Sequence, residues 1–249
     1  LDCDRLDYLL RDSYSTGARY GQLDLDRLLA ALVLAPDGSL AVHPRGLLAV
    51  EHYLVVRQLM YRSVYNHRLN VVCNWLLKHV IEVARQLGPE QVWADKIMAT
   101  WLWSKGDLTL KYFLANDDFR ATYHLWRWRE DGPPVLSEPC TRLLDRQLLK
   151  ALDVRHLATA ERQELLSQAQ SEAQRAGLDP EGCCALLQGQ TRGYDPYRSG
   201  LRLWDGQQLR ALEERSNLVR ALTIQEPWAW LVVPKQVESA LMIHPMFHV

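Results

Sequence analysis

The sequence predicts a mainly α-helical protein that ends in a small α+β lobe. Three observations predict this. Apolar residues recur with helical spacing from Pro44 to about Gln86, where Gly88-Pro89 ends the run. Shorter helical patterns fill residues 90–150, separated by Gly106, by Asp117-Asp118 and by Gly132-Pro133-Pro134. After Lys150 the pattern changes, and Leu201 to Trp204, Gln207 to Leu222 and Trp228 to Val233 read as strand, helix and strand. Two domains are therefore expected, a helical one over residues 1–150 and a C-terminal helical and α+β lobe over 151–249.

Within this frame Asp2 can cap a short helix running to about Asp12, because an aspartate oxygen accepts from the free N–H groups of a first turn. Ser13 to Gly21 reads as a loop, and Leu23 to Leu34 as helix. Pro36-Asp37-Gly38 is a turn signal between two apolar runs, so Leu32-Val33 and Leu40 to Val42 are expected to pair as a hairpin. The long pattern from Pro44 is expected to break near Tyr65 to Arg68. Trp93, Trp101, Trp103, Trp126 and Trp128 are expected in core or inter-helix packing, and His156 to Gly177, rich in Gln, Glu and Ala, on a solvent-facing helix. Pro234 closes the last strand.

At 249 residues and 48% hydrophobic content the chain can bury one sizeable core or two smaller ones. Its 29 Lys and Arg are balanced by 30 Asp and Glu, which argues against nucleic acid or an anionic membrane as the main partner. Five cysteines, an odd number without a Cys-x-x-Cys, fit a reducing compartment, and a cytoplasmic location is expected. The apolar stretch from Leu47 to Met60 is interrupted by Glu51, His52 and Arg57, so no membrane span is expected. The chain opens on Leu1, which points to a fragment.

Two clusters could carry chemistry. The segment from Leu1 to Asp12 holds four carboxylates and two guanidinium groups, and on a helix Asp4, Tyr8, Arg11 and Asp12 share one face. Taken alone, this reads better as a solvated charged face with an Asp7–Arg11 surface pair. Arg57, Tyr61, Tyr65 and Arg68 line one face of a later helix, beside Asn66 and His67. Paired arginines and phenols suit phosphate and sugar, while a half-buried helix seam is the alternative.

Asp-Cys-Asp-Arg-Leu-Asp-Tyr-Leu-Leu-Arg-Asp-Ser at 2–13 resembles the signature that follows the His-Asp dyad in HD-domain phosphohydrolases, in the branch containing the vertebrate SAM-and-HD-domain dNTP triphosphohydrolase. Tyr65-Asn66-His67-Arg68 and Arg57 resemble the family's later nucleotide-contacting helix, and the segments Phe113 to Phe119 and Leu143 to Lys150 resemble helices that follow. The resemblance implies an HD-domain-like helical bundle portion at 1–150. It makes Asp4 the last metal ligand and a catalytic residue. Substrate contacts fall to Arg5, Tyr8, Asp12, Arg57, Tyr61, Tyr65, Asn66 and Arg68. It also implies a divalent metal (Mn, Mg, Fe or Zn), a nucleotide or other phosphoester substrate and a homo-oligomer.

None of the eight histidines is followed by Asp, so the dyad is absent from this chain. Either it lies upstream of Leu1, which the position of the motif favours, or it has been lost. The expectation is a metal-dependent phosphohydrolase acting on nucleotides, present here as a fragment that does not retain its metal and has no activity alone. The alternatives are a non-catalytic nucleotide-binding or oligomerisation module and a purely structural helical piece. Asp4, Tyr8 and Asp12 are expected to meet the Arg57, Tyr61 and Tyr65 face.

Overall fold

The computed structural model describes residues 2–104, 106, 108–191, 193–196 and 200–241. The chain is mainly helical with a small α+β portion, as the sequence predicts. It divides into two compact units, Leu1–His67 with Gln188–Trp228, and Arg68–Leu187 with Ala229–Val249. The boundary expected at residue 150 falls inside the second unit.

In the first unit, helix α1 (Cys3–Thr16) starts where Asp2 accepts from the Arg5 N–H at 2.8 Å, as predicted. It runs a turn past Asp12 and stops at Gly17, whose φ of 70° is the left-handed cap that glycine adopts at least cost. Helix α2 (Leu25–Ala30) is shorter than the Leu23 to Leu34 pattern, because Leu32 to Leu34 leave it to form β1. β1 pairs antiparallel with β2 (Leu40–Val42), the predicted hairpin, in the register Leu32 with Val42 and Leu34 with Leu40.

Helix α3 (Leu47–Met60) follows and widens into a π-helical turn over Tyr61–Tyr65, where the Asn66 N–H donates to the Tyr61 carbonyl at 2.8 Å. The long helical pattern therefore breaks where expected. The unit is completed from the far end of the chain. β5 (Arg202–Trp204) joins β2 in parallel and β6 (Leu209–Ala211) flanks it, giving the sheet order β1-β2-β5-β6. The Gln207 to Leu222 helix reading thus loses its first turn to β6, and Ser216 separates the remainder into Leu212–Arg215 and Asn217–Leu222. One core holds Leu9, Leu28, Val50, Tyr53 and Met60 together with Tyr194, Leu203, Leu212 and Val219.

In the second unit, α4 (Arg68–Leu87) buries Val72, Leu76, Val80 and Ala84, a helical stripe. Helices α5 (Lys96–Trp103), α6 (Leu110–Ala115), α7 (Asp118–Asp131) and α8 (Pro134–Leu144) follow. Two strands lie outside the sequence reading, β3 (Lys150–Asp153) in this unit and β4 (Ala185–Thr191), which belongs to it up to Leu187; between them come α9 (Thr159–Arg175) and α10 (Pro180–Cys183). β3 pairs antiparallel with β7 (Glu226–Val233), Lys150 facing Val233, in a sheet of order β3-β7-β4.

Of the five clustered tryptophans only Trp128 is buried, while Trp93 and Trp126 are 45% and 43% exposed. Trp126 lies under the Arg129 guanidinium at 3.9 Å, and Trp101 of α5 stacks on Phe113 of α6, as inter-helix packing predicts. His156 to Gly177 is largely α9, with Leu165, Ala169 and Ala173 buried on one face.

Candidate functional site

The first unit brings the two predicted clusters together. The Tyr65 hydroxyl donates to the Asp12 carboxylate at 2.8 Å across 53 residues of sequence. Tyr8 packs edge-on against Tyr65 at 5.8 Å between ring centroids, and Tyr61 does so at 5.1 Å. A π-helical turn advances the chain by more than four residues per turn, so Tyr61 and Tyr65 are presented to the same side; such turns recur at functional sites. Arg57, one turn earlier, lays its guanidinium over the Tyr61 ring at 4.5 Å and donates to the Gly193 carbonyl at 2.7 Å.

All five side chains are half-buried. Burial first, then the hydrogen bond and field of Tyr61, push the Tyr8 phenol up to about 12. Burial first, then the hydrogen bond to Asp12 and its charge, raise Tyr65. Both phenols are therefore uncharged donors at neutral pH. The arrangement offers a carboxylate acceptor, phenolic donors, three aromatic rings and one fixed cation, which together suit a polar ring carrying hydroxyls and an attached anion.

The remaining predicted residues are placed differently. Asp4 is exposed on the first turn of α1, one turn before Tyr8 on the same face. Arg5 forms an ion pair with Asp2 at 3.4 Å. Asn66 spends its amide on the Thr191 hydroxyl at 2.7 Å, a fastening role. Arg68 is exposed and opens α4 in the second unit.

Gly193 was missed by the sequence reading, and no local signal marks it. A Cβ there would stand 2.9 Å from Gln58 Oε1 and 3.0 Å from Leu222 Cδ2, so a larger residue would need these side chains to shift. A second feature also went unread: a recess of about 430 Å3 lined by Arg27, His43 and Arg45 with Ala31, Val33 and Gly46. Its two guanidinium groups and imidazole make it suited to an anion.

The implied metal does not fit the described residues by themselves. Asp4 is a single exposed carboxylate, and among the described residues no group of three or more His, Cys, Asp or Glu is placed to hold a metal ion.

Residues 23–233 match the family described as HD associated region. The chain belongs to that family. Among its relatives is YwfO of Bacillus subtilis, an uncharacterized protein that is 28% identical over 232 residues, which are 90% of this chain and 53% of YwfO. A Methanocaldococcus jannaschii protein, also uncharacterized, is 37% identical over 84 residues, 32% of this chain and 19% of its own.

The HD-associated fold also appears in a solved phosphohydrolase of Bacteroides thetaiotaomicron, at a TM-score of 0.75 and 23% identity, over 94% of this chain and 61% of that one. A hypothetical protein of Aquifex aeolicus matches at a TM-score of 0.67 and 20% identity, over 95% and 55%. The chain thus spans about half the length of its nearly full-coverage curated relative and little more than half of these structures. No helix among the described residues is long and apolar enough to cross a membrane.

Proposed function

We propose that this chain supplies the substrate-holding part of an HD-type phosphohydrolase acting on nucleotides. The observation that carries the reading is the Tyr65–Asp12 hydrogen bond with Tyr8, Tyr61 and Arg57 around it. On this reading Asp12 and the Tyr8 hydroxyl take the sugar hydroxyls, the Tyr65 ring packs on the sugar, and Arg57 with Arg5 faces the phosphates. A guanidinium in a half-buried setting pairs with phosphate oxygens and stabilises charge that grows on them. Arg68 would join them only in the longer protein's assembled site.

Support for the hydrolase class comes from the name of the Bacteroides structural neighbour and from the family. A metal-dependent reaction requires ligands beyond Asp4, and these would lie on residues other than those described. The test has two parts. The chain alone should bind nucleotides and release no phosphate or triphosphate with manganese or magnesium present. A longer protein that restores an upstream His and His-Asp should hydrolyse at least one nucleotide, and Asp12→Ala should lower its kcat/KM by about a hundredfold or more. Undiminished turnover in Asp12→Ala would refute the placement of the substrate on this face.

A further inference from the structure

We propose that a cleft in the second unit binds a small organic cation, an amidinium or guanidinium carried on a flat apolar body. The cleft has a volume of about 310 Å3, in the range of small-molecule sites, and uses none of the residues of the site above. Val135, Pro139 and Leu178 form its apolar wall, and His79, Glu138 and Asp179 its polar one.

His79 Nε2 is buried without a hydrogen-bond partner, an arrangement that costs on the order of 1–3 kcal/mol unless something completes it. The imidazole lies nearly parallel to Trp75, with 19° between the planes, which sets the plane of the ring. The two carboxylates are not equivalent. Glu138 is taken up by Arg142 at 2.5 Å. Asp179 uses Oδ1 to accept the Glu181 N–H at 3.2 Å, which leaves Oδ2 for other work.

Gly182 shows where that oxygen faces. A Cβ at this position would stand 2.6 Å from Asp179 Oδ2 and 3.2 Å from His79 Nε2. Both atoms therefore border one small volume that only glycine keeps open. A planar cation has N–H groups in a fork: one can donate to the carboxylate and another to the imidazole nitrogen, while its body covers Pro139 and Leu178. An anion would face the Asp179 and Glu138 carboxylates, and a neutral ligand would forgo the charge-assisted bond. The Cys183 thiol at the cleft is raised by its hydrogen bond with Cys184 and by burial, so it stays protonated and does not compete as a nucleophile.

The test uses the full chain and three probes of one shape, phenylguanidinium, neutral phenylurea and anionic benzoate, titrated while NMR follows the His79 ring and Leu178 methyl signals. Phenylguanidinium should give saturable shifts at both residues, phenylurea should bind at least about tenfold more weakly, and benzoate should give none. Asp179→Asn keeps an oxygen to cap α10 and should weaken phenylguanidinium about tenfold. Gly182→Ala should abolish the shifts; should it fail to fold, Asp179→Asn decides alone. Equal binding of phenylurea, undiminished binding to Asp179→Asn, or no saturation by phenylguanidinium would each overturn the proposal.

Discussion

Both units hold a cluster of aromatic rings, an arginine and an aspartate, and the two clusters spend their polar groups differently. In the second unit the cluster is closed. His124 is fully buried, stacks on Trp93 at 5.1 Å, accepts the Asp95 N–H at 3.1 Å through Nε2 and faces the Arg120 carbonyl at 2.8 Å through Nδ1. Asp95 pairs with Arg120 and caps α5 through the Met98 N–H, and Trp128 donates to the Trp93 carbonyl at 2.7 Å. Both nitrogens of His124 are thus spent on the backbone. In the first unit Tyr8, Tyr61, Tyr65 and Asp12 are half-buried and meet through side-chain contacts, and Arg57 covers the Tyr61 ring while also donating to the Gly193 carbonyl. Side chains that satisfy each other can exchange partners for a ligand, whereas a buried imidazole bonded to two backbone groups is part of the framework.

The comparison fails first if the closed cluster proves dispensable. Trp128→Ala should destabilise the second unit by about 3–5 kcal/mol, the cost of emptying a fully buried aromatic site. Hydrogen exchange resolved by segment should show the loss in α5, α7 and α8. Protection unchanged there would remove the distinction.

A smaller effect is expected at Gly189 of the first unit, where a Cβ would run into the Trp228 indole. Gly189→Ala should cost about 1–3 kcal/mol of overpacking, read as a lower urea midpoint. An unchanged midpoint would show that the indole moves aside freely.

In the open cluster Tyr65→Phe should cost the fold only about 0.5–1.5 kcal/mol, the net worth of one hydrogen bond, while weakening nucleotide binding about tenfold in calorimetry. A large loss of stability without a change in binding would reverse the assignment and make this cluster a framework too.

pH separates the clusters further. Burial first, and then the charge of Arg120, hold His124 below its ordinary value, against the raising effect of its bond to the Arg120 carbonyl. A depressed base contributes stability that is present above about pH 6.5 and is lost as pH falls through the lower folded value. The second unit should therefore loosen on mild acidification, and His124→Gln should flatten that dependence. The raised Tyr8 phenol works in the opposite sense. Its contribution is complete below about pH 10 and is lost as pH rises toward about 12, seen as late phenolate absorbance. The smallest effect belongs to Asp4→Ala, where an exposed carboxylate should change stability by no more than about 0.5 kcal/mol.

Much of the open cluster was legible in the sequence, because its members sit on helices whose faces can be counted. Asp12 is two turns from Asp4, Tyr65 two turns from Arg57, and the cap at Asp2 and the break after Tyr65 carry local signals. The joining of the two helices was legible only through the family resemblance. What stayed hidden depends on distant pairing. Lys150 to Asp153 is too short and too mixed to announce a strand until Trp230 to Val233 lies beside it. Leu209 to Ala211 reads as the start of a helix because its strand character comes from Arg202 to Trp204. The tryptophans were expected in core or inter-helix packing, which holds for Trp128, Trp101 and Trp103, while Trp93 and Trp126 serve the rim through cation and ring contacts that spacing does not encode.

The discontinuous make-up of the first unit also bears on its birth. Leu9, Leu28, Val50 and Met60 leave the ribosome early, but Leu203, Leu212 and Val219, which complete their core, come after all of residues 68–187. At ordinary elongation rates that interval is on the order of ten seconds. Throughout it the nascent chain carries a half-built apolar face; of the second unit, the cluster of Val80, Met98, Trp128 and Leu136 lies wholly within the inserted segment, while the core that uses Leu231 to Val237 waits for the chain's last residues. The early helices expose their apolar face for that interval, and slowing translation between residues 68 and 187 should lengthen it.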